Sequence, residues 1–398
     1  MVRVRQIPVA KPVLDDNEVE AVRRVILSGW VTQGPEVAAF EREFAEFVGA
    51  PHACAVSNCT TALHLALLAV GVKTGDEVIT VSHSFIATPN AIRYCGATPV
   101  FVDVEAGGFN IDPALIEAAI TDRTRAILVV HQLGMPCDMA HILPIARRHG
   151  LPVVEDAACA TGSEILWDGR WEKVGKPHGD IACFSFHPRK VMTTGDGGML
   201  TTANPDYDRK FRLWRQHGMS VPDTVRHGSA QVIFEGYEEV GYNYRMTDLQ
   251  AALGRSQLER LPEIIAARRW LADAYVMQLA DARGIEVPAE PAWARSNWQS
   301  YCVRLPADVD QRSVMQSLLD AGISSRRGVM NAHLEPAYAD PSTHRVAGSL
   351  ARSEAAQASG VMLPLFAQMT VVQINSVAAR LRRALRAPAM AEAHRITV

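Results

Sequence analysis

The stretch that decides the fold is Ile181-Ala-Cys-Phe-Ser-Phe-His-Pro-Arg-Lys190, followed by Val-Met-Thr-Thr-Gly-Asp-Gly-Gly-Met-Leu200. Its pattern predicts an apolar strand, a polar turn that carries one lysine, and a glycine-rich crossing into a second strand. Burial of Lys190 between strands would disfavour the ammonium form and leave a free amine that can attack a carbonyl. That is the chemistry of a lysine that forms a Schiff base. Most lysines are solvated surface residues, so the interpretation of Lys190 as a Schiff-base lysine depends on three further segments.

The first of these segments is Leu151-Pro-Val-Val-Glu-Asp156. A short apolar run predicts a buried parallel strand with acidic residues at its carboxyl end. Ligands of open α/β sheets bind outside the carboxyl ends of such strands. The Asp156 carboxylate could pair there with the protonated pyridine nitrogen of pyridoxal 5'-phosphate (PLP) and keep the ring an electron sink. The alternative is that Asp156 only caps the next turn, which is the preferred interpretation when Lys190 is disregarded.

The two other segments supply a phosphate site and an aromatic face. Ser57-Asn-Cys-Thr60-Thr61 stands directly before a helical run over residues 62–70, and free backbone N–H groups at the positive end of a helix suit a phosphate. An ordinary N-cap is the alternative. Phe85 follows the strand that ends at Val81 and could lie on one face of the cofactor ring, although a lone phenylalanine is usually a core residue.

Strand and helix patterns alternate through the first two thirds of the chain. The elements that we predict there are strands at Glu77–Val81, Thr98–Val102, Ala126–His131 and Pro152–Glu155, and helices at Pro35–Val48 and Asp138–His149. Such an order is typical of parallel strands joined by crossover helices. The prediction is therefore an α/β fold with a large, mostly parallel sheet covered by helices on both faces.

A different pattern begins near Asp248. A long helical pattern, Thr247 to Ala282 and interrupted by Pro262, is followed by a strand over residues 300–305 and a helix over residues 311–321. We therefore expect a smaller α+β carboxyl-terminal domain. The expected division places a large PLP-binding domain at residues 1–260 and the small domain at residues 261–398.

Composition narrows the class of function. The 398 residues carry a net charge of −3, without the basic stripe that a nucleic-acid partner requires. Seven scattered cysteines form no CxxC pair and no metal-ligand spacing, which fits a reducing cytoplasm. No stretch has signal-peptide or membrane-spanning character. The basic helix predicted at Val371 to Arg386 is expected to pack its apolar side inward rather than to bind a membrane.

With these segments in view, the chain resembles the DegT/StrS group of sugar aminotransferases, a family of fold-type-I PLP enzymes, almost from end to end. The segments in common also include Ser28-Gly-Trp-Val-Thr-Gln-Gly34, Gly96-Ala-Thr-Pro-Val-Phe-Val-Asp103, Gly241-Tyr-Asn-Tyr-Arg-Met-Thr-Asp248, His333-Leu-Glu-Pro-Ala-Tyr338 and Leu363-Pro-Leu. Their order and separation make the resemblance specific. Relatives that remove a sugar hydroxyl carry histidine where Lys190 stands, so the retained lysine implies amino transfer.

The resemblance implies a role for each matching residue. Lys190 would hold the cofactor covalently and move the proton during transamination, and Asp156 would hold the pyridine nitrogen. The other cofactor-binding positions are Thr60, Thr61 and Ser185 at the phosphate, Phe85 on the ring, and Asn243, which would come from the partner subunit. The active site would thus be shared within a homodimer. Cys159 stands where the family usually has glutamine or histidine near the ring hydroxyl, and this departure leaves its role open.

The resemblance also implies the reaction, in which an amino group moves from L-glutamate, or glutamine, to a keto-sugar linked to a nucleotide diphosphate. The candidate substrate contacts are Trp30, Arg245, His333 and Tyr338, with Arg189, Arg326 and Arg327 as further cations for a diphosphate. Two alternatives stay open, namely the same chemistry on a free keto-cyclitol and a non-catalytic regulator on this fold. A regulator would not need the complete set of Lys190, Asp156, Ser185 and Asn243, so their joint retention disfavours it.

Overall fold

The computed structural model describes residues 7–221, 225–226, 229–282 and 284–386. Residues 1–6, where we expect no signal peptide, lie outside the described residues. The helices are α1 (Asp16–Ser28), α2 (Pro35–Val48), α3 (Cys59–Ala69), α4 (Ala87–Tyr94), α5 (Ile116–Ala119), α6 (Met139–Arg148), α7 (Pro205–Trp214), α8 (Asp248–Leu279), α9 (Gln311–Asp320), α10 (Ala351–Ser359) and α11 (Val371–Arg386). Short 3₁₀ turns lie at Pro113–Leu115, Gln132–Gly134, Ala332–Leu334, Pro336–Tyr338 and Pro341–Thr343.

The strands form a large sheet and two small ones. They are β1 (His52–Val56), β2 (Glu77–Val81), β3 (Thr98–Val102), β4 (Thr124–Val130), β5 (Val153–Asp156), β6 (Glu164–Trp167), β7 (Arg170–Lys173), β8 (Ile181–Ser185), β9 (Gly198–Thr202), β10 (Ala294–Arg295), β11 (Tyr301–Arg304), β12 (Arg326–Arg327), β13 (Arg345–Val346) and β14 (Gly360–Leu363). The large sheet has the order β1-β9-β8-β5-β4-β2-β3-β13. Neighbours from β8 to β13 are parallel, whereas β9 pairs antiparallel with both β8 and β1.

Helices cover both faces of this sheet, and alternate residues of one strand pack on opposite sides. Val154 of β5 belongs to a buried cluster with α3, while the preceding Val153 belongs to a cluster with α6. A strand that is buried on both faces reads as a continuous apolar run, because neither of its sides meets water. The predicted α/β fold with a mostly parallel sheet is thereby confirmed.

Helix α2 shows how local sequence specifies these layers. Pro35 occupies its first turn, where a missing N–H costs nothing, and Gly49 ends it with a left-handed φ of 81°. Between them, Phe40 and Phe44 lie one turn apart, and both are buried against Phe186, which follows β8. The helix over residues 35–48 is therefore confirmed, and it packs against the strand that leads to Lys190.

We expected Pro262 to interrupt the long helix, and this expectation is wrong, because α8 continues through it. A proline inside a helix removes one backbone hydrogen bond and costs about 3 kcal/mol or more. The helix survives because it is buried on both sides of the proline. Leu258 and Leu261 pack in the cluster with α2, and Leu271 and Tyr275 pack in the carboxyl-terminal cluster. Each fully buried side chain of this kind contributes about 1.5–3 kcal/mol, so a few of them offset the proline.

The carboxyl-terminal part has its own buried cluster. It joins the sheet β11-β14-β12 to α9, α11 and the second half of α8. The apolar side of α11, with Ile374, Val377 and Leu381, is buried in this cluster, which confirms that the basic helix packs inward. Among the described residues, no helix is both long enough and apolar enough to cross a bilayer. The division of the chain at residue 260 stays a prediction.

Candidate active site

The loops at the carboxyl ends of the parallel strands surround a cavity of about 650 Å³. Parallel strands end at the same edge of a sheet, so residues that are distant in sequence meet there. The predicted site residues that line the cavity are Thr60, Thr61, Phe85, Asp156, Cys159, Ser185 and Lys190. The wall is completed from the carboxyl-terminal sheet, by Arg326 to Met330 and by Met362 and Leu363.

Lys190 lies in the turn after β8. Its backbone N–H donates to the His187 carbonyl at 2.8 Å, and its Nζ donates to Cys159 Sγ at 3.0 Å. Burial lowers the pKa of the Lys190 ammonium, but the nearby Cys159 sulfur and the Asp156 carboxylate outweigh burial and hold this pKa above its usual value. This corrects our expectation that desolvation alone would leave a free amine. The role of Lys190 in the reaction stays a prediction.

Asp156 is the last residue of β5, and its side chain is held from two directions. Thr88 Oγ1 donates to Oδ2 at 2.7 Å, and the Ala158 N–H donates to Oδ1 at 3.2 Å. The Ala158 contact is the turn cap that we considered as the alternative, but it accounts for only one of the two oxygens. Burial raises the pKa of the Asp156 carboxyl, and these hydrogen bonds and Lys190 offset only part of the rise. A cationic N–H would stabilise the charged carboxylate.

Thr88 was missed by the sequence reasoning, and it links Asp156 to α4. Its hydroxyl lies 2.7 Å from Ser84 Oγ, so Ser84, Thr88 and Asp156 form one buried chain of hydrogen bonds. Nothing in the spacing of these residues signals a contact across the 68 positions that separate Thr88 from Asp156. Gln132, which also lines the cavity, was missed as well, although it lies two residues after the end of β4 and follows the same strand-end rule that pointed to Asp156.

We expect Thr88→Val to move the acid limb of the activity profile to higher pH. Without the Thr88 donor the pKa of the Asp156 carboxyl rises further, so a smaller share of the enzyme carries the charged carboxylate at acid pH. The lost hydrogen bond to a charged group costs about 1.5–3 kcal/mol, which is on the order of 10–100-fold in rate. The measurement is kcat against pH. Thr88→Ser keeps a hydroxyl and is the matched control, and superimposable profiles for the valine variant and wild type would contradict the role.

The amino end of α3 forms the expected phosphate end of the cavity. Asn58 caps the helix and accepts from the Thr61 N–H at 3.0 Å, while the Thr61 hydroxyl donates to the Asn58 carbonyl at 2.7 Å. The Thr61 side chain is therefore engaged in an ordinary N-cap. Cys59 and Thr60 are the first two residues of the helix, and their backbone N–H groups have no acceptor within it. These two N–H groups, at the positive end of the helix dipole, are free for an anion.

Gly198 brings the other wall of the phosphate end close to the α3 cap. A Cβ at this position would lie 2.5 Å from the carbonyl carbon and oxygen of Asn58, so no larger residue fits without displacing the cap. Gly198 pairs with Ser185 across β8 and β9 and with Val56 across β9 and β1. The glycine thus allows the Ser185 end of β8 and the amino end of α3 to face one cavity.

Phe85 is 57% exposed and lines the cavity. It belongs to none of the buried clusters of the described residues, so the alternative of a core phenylalanine does not hold. A lysine amine, a buried carboxylate, an anion site at a helix terminus and an exposed aromatic face therefore line one cavity. This set of groups fits the aldehyde, the pyridine nitrogen, the phosphate and the ring of PLP, and the individual roles stay predictions.

The cavity wall of this single chain does not include five of the predicted residues, which are Trp30, Asn243, Arg245, His333 and Tyr338. Asn243 is exposed and pairs by its backbone with Gln216, and Arg245 pairs with Val56. The Trp30 Nε1–H donates to the Gln33 carbonyl at 3.1 Å.

The side chains of His333 and Tyr338 make hydrogen-bond contacts with other residues of the chain. His333 Nδ1 lies 2.6 Å from Ser82 Oγ, and the Tyr338 hydroxyl donates to Asn90 at 3.0 Å with its ring buried against Phe101. Of the arginines considered for a diphosphate, Arg189, Arg326 and Arg327 line the cavity, and Arg327 pairs with Glu335 at 2.8 Å. A role for any of these residues toward substrate stays a prediction.

Comparison with known proteins gives a single family. The model of the DegT/DnrJ/EryC1/StrS aminotransferase family matches residues 12–382. The chain is 41% identical over 384 residues to the GDP-perosamine synthase of Caulobacter vibrioides, covering 96% of this chain and 98% of that protein.

Solved structures give the same result. DesI, crystallised in the presence of its TDP-sugar product, is 31% identical with a TM-score of 0.85, and the match covers 96% of this chain and 94% of DesI. A protein described as a sugar aminotransferase from Streptococcus pneumoniae, in its PLP form, is 27% identical with a TM-score of 0.86, and the match covers 96% of this chain and 98% of that one.

Proposed function

The chain belongs to the DegT/DnrJ/EryC1/StrS aminotransferase family, and from this premise we propose that it moves an amino group from L-glutamate to the keto group of a nucleotide-linked sugar. The enzyme is a fold-type-I sugar aminotransferase, and its cofactor is PLP. The single observation that carries the proposal is the placement of Lys190 and Asp156 in one cavity, beside an anion site at the start of α3.

The described residues divide the work of transamination among them. When bound, PLP supplies an electron sink for the carbon that gains or loses the amino group. Asp156 keeps the positive charge on the ring nitrogen, because its buried carboxylate gains from a cationic partner. The N–H groups of Cys59 and Thr60 and the Ser185 hydroxyl bind the phosphate. Lys190 Nζ, after losing its proton, takes and returns a proton at the reacting carbon.

The active site is shared between two subunits in this proposal. Asn243 lies outside the cavity of its own chain, on an exposed segment that also carries Val232, Phe234 and Val240. Phe234 is 91% exposed, which is costly for a large apolar side chain in water. A second copy that covers this segment would bury these side chains. Asn243 of the first copy would then lie at the phosphate end of the second copy's cavity.

The substrate class follows from charge and from the relatives. A nucleotide-linked sugar carries a diphosphate, and Arg189 and Arg326 place positive charge on the cavity wall. The names of the relatives, a GDP-perosamine synthase and DesI with its TDP-sugar product, support this class.

The cysteines are all free, and this supports a reducing compartment such as the cytoplasm.

The half-reactions test the proposal directly. Holoenzyme is treated with L-glutamate, the donor is removed, and nucleotide-linked keto-sugars and keto-cyclitols are added separately while the absorbance of lysine-bound cofactor is followed. We expect L-glutamate to remove this absorbance and only a nucleotide-linked keto-sugar to restore it. Restoration by a keto-cyclitol alone would overturn the substrate class, and an absorbance that L-glutamate leaves unchanged would overturn the donor.

Hybrid dimers test the shared site. We expect Asn243→Ala and Lys190→Ala to be inactive alone, and their mixture to recover about a quarter of wild-type activity once subunits exchange. The reason is that half of the dimers are then mixed, and each of these has one site with both residues intact. Subunit exchange is verified by native mass spectrometry with one labelled partner. Full exchange without recovery would place Asn243 outside the partner's site.

A further inference from the structure

We propose that Cys159 and Lys190 form an oxidation-sensitive pair, in which peroxide oxidises the Cys159 sulfur and the Lys190 nitrogen then forms a bond to it. The cross-link would prevent Lys190 from holding the cofactor and would stop the reaction until a thiol reduces it. The proposal rests on the proposed role of Lys190.

The two nucleophiles are already in contact. Lys190 Nζ lies 3.0 Å from Cys159 Sγ, and both residues line the open cavity. Of the seven cysteines, Cys159 alone is partly exposed, and the other six are buried. Cys59 also lines the cavity, but it is buried and its thiol donates to the Cys183 carbonyl at 3.7 Å, so Cys159 is the more accessible of the two thiols to a small oxidant that enters the cavity.

Their backbones hold the contact in place. The Asn297 amide donates to the Cys159 carbonyl at 2.8 Å and to the Thr161 carbonyl at 2.9 Å. Asn297 is fully buried, so this loop is anchored to the interior. The Lys190 N–H is bonded to His187. Bond formation from a 3.0 Å contact therefore needs a movement of the two side chains, and the backbone can stay where it is.

The position of the pair favours oxidation at Cys159. Its sulfur lines the cavity and is partly exposed, so a small oxidant can reach it. The Asp156 carboxylate also stabilises the Lys190 ammonium, because its negative charge raises the pKa of Lys190. Burial disfavours the thiolate at other cysteines, for example by raising the pKa of the Cys302 thiol to about 12. Peroxide should accordingly select Cys159.

The chemistry balances in two steps. The Cys159 thiol and hydrogen peroxide give a sulfenic acid and water, so that sulfur is oxidised and one peroxide oxygen is reduced to water. The Lys190 ammonium and the sulfenic acid then give a nitrogen–sulfur bond, one water and one proton. The sulfur–oxygen bond breaks as the nitrogen–sulfur bond forms. A thiol that attacks the sulfur breaks the nitrogen–sulfur bond, which releases the lysine amine and leaves a mixed disulfide at Cys159. A second thiol then frees the Cys159 thiol and forms the external disulfide.

The experiment uses holoenzyme in three states before a brief exposure to hydrogen peroxide. One sample is holoenzyme as purified, in which the cofactor occupies Lys190. A second sample is treated with L-glutamate, so that the amino group is transferred and Lys190 is released. A third is treated with hydroxylamine, which removes the cofactor and releases Lys190 without any amino donor. Peptide mapping by mass spectrometry and the regain of lysine-bound absorbance on adding PLP are the two readouts.

We expect a cross-linked pair of peptides containing Cys159 and Lys190, lighter by two hydrogens than their sum, in the second and third samples but not in the first. The cross-linked enzyme should regain the absorbance with PLP only after dithiothreitol. Cys159→Ser should give no cross-link and regain the absorbance without the thiol. The six buried cysteines should stay alkylatable after unfolding.

Two results would overturn the proposal. One is a Cys159 that survives as a free thiol in the hydroxylamine sample, and the other is an oxidised Cys159 with an unmodified Lys190. The outcome is separate from that of the proposed function. If L-glutamate leaves the absorbance unchanged, the donor is wrong, while the hydroxylamine sample still decides the cross-link.

Discussion

Lys190→Ala is expected to lower the rate of transamination by ~10⁴-fold or more, because a positioned acid–base group contributes ~10²–10⁴-fold and the covalent hold on the cofactor is lost with it. The lysine is the one amine that lines the cavity of the described residues, so no second lysine can replace it. The variant should also lack the absorbance of lysine-bound cofactor. The measurements are kcat for the full reaction and the spectrum of the purified protein.

A matched control separates loss of the amine from loss of a lysine in general. Lys73 is exposed and lies on a turn away from the cavity, so Lys73→Ala should keep both the spectrum and the rate. Lys190→Ala should also keep the fold, because Nζ makes a single hydrogen bond, to Cys159. A Lys190→Ala protein that folds normally and still transaminates within tenfold of wild type would refute the assignment.

The second large effect concerns Asp156. Asp156→Ala should lower the rate by roughly 10²–10⁴-fold, because leaving one charge of a buried pair without its partner costs about 3–5 kcal/mol. The charge left alone would be that of the ring nitrogen, and the cofactor would become a poorer electron sink. The variant should still bind PLP through Lys190, so the absorbance of lysine-bound cofactor should remain while kcat falls.

Two comparisons give this result its meaning. Asp156→Asn keeps the size of the side chain and part of the hydrogen bonding to Thr88 and Ala158, but it removes the charge. Its kcat should therefore be lowered nearly as much as that of the alanine variant. Asp122 is exposed and lies away from the cavity, and Asp122→Ala should leave the rate unchanged. Wild-type turnover in Asp156→Asn would show that the charge is not needed.

Several residues that line the cavity could be predicted from the sequence because they follow a general rule of parallel sheets. Asp156 and Ser185 end buried apolar runs, and the strand-end rule places such residues at one edge whatever the details of packing. Helices were predictable in the same way where the apolar spacing and the terminal signals agreed, as in α2 between Pro35 and Gly49. The rule that a proline interrupts a helix gave a wrong prediction at Pro262. Burial on both sides of the proline is a tertiary effect, and local helix propensity does not include it.

The sequence by itself determined the fold class, the family resemblance and the lysine and carboxylate that face one cavity, because apolar periodicity and chain order are local properties. Only the tertiary structure decided that Thr88 holds Asp156 and that Cys159 contacts Lys190, since these contacts join residues 68 and 31 positions apart. It also decided the direction in which the pKa of Lys190 departs from its usual value. The pKa of a buried amine depends on which charges surround it as much as on burial, and those neighbours are brought together by folding alone.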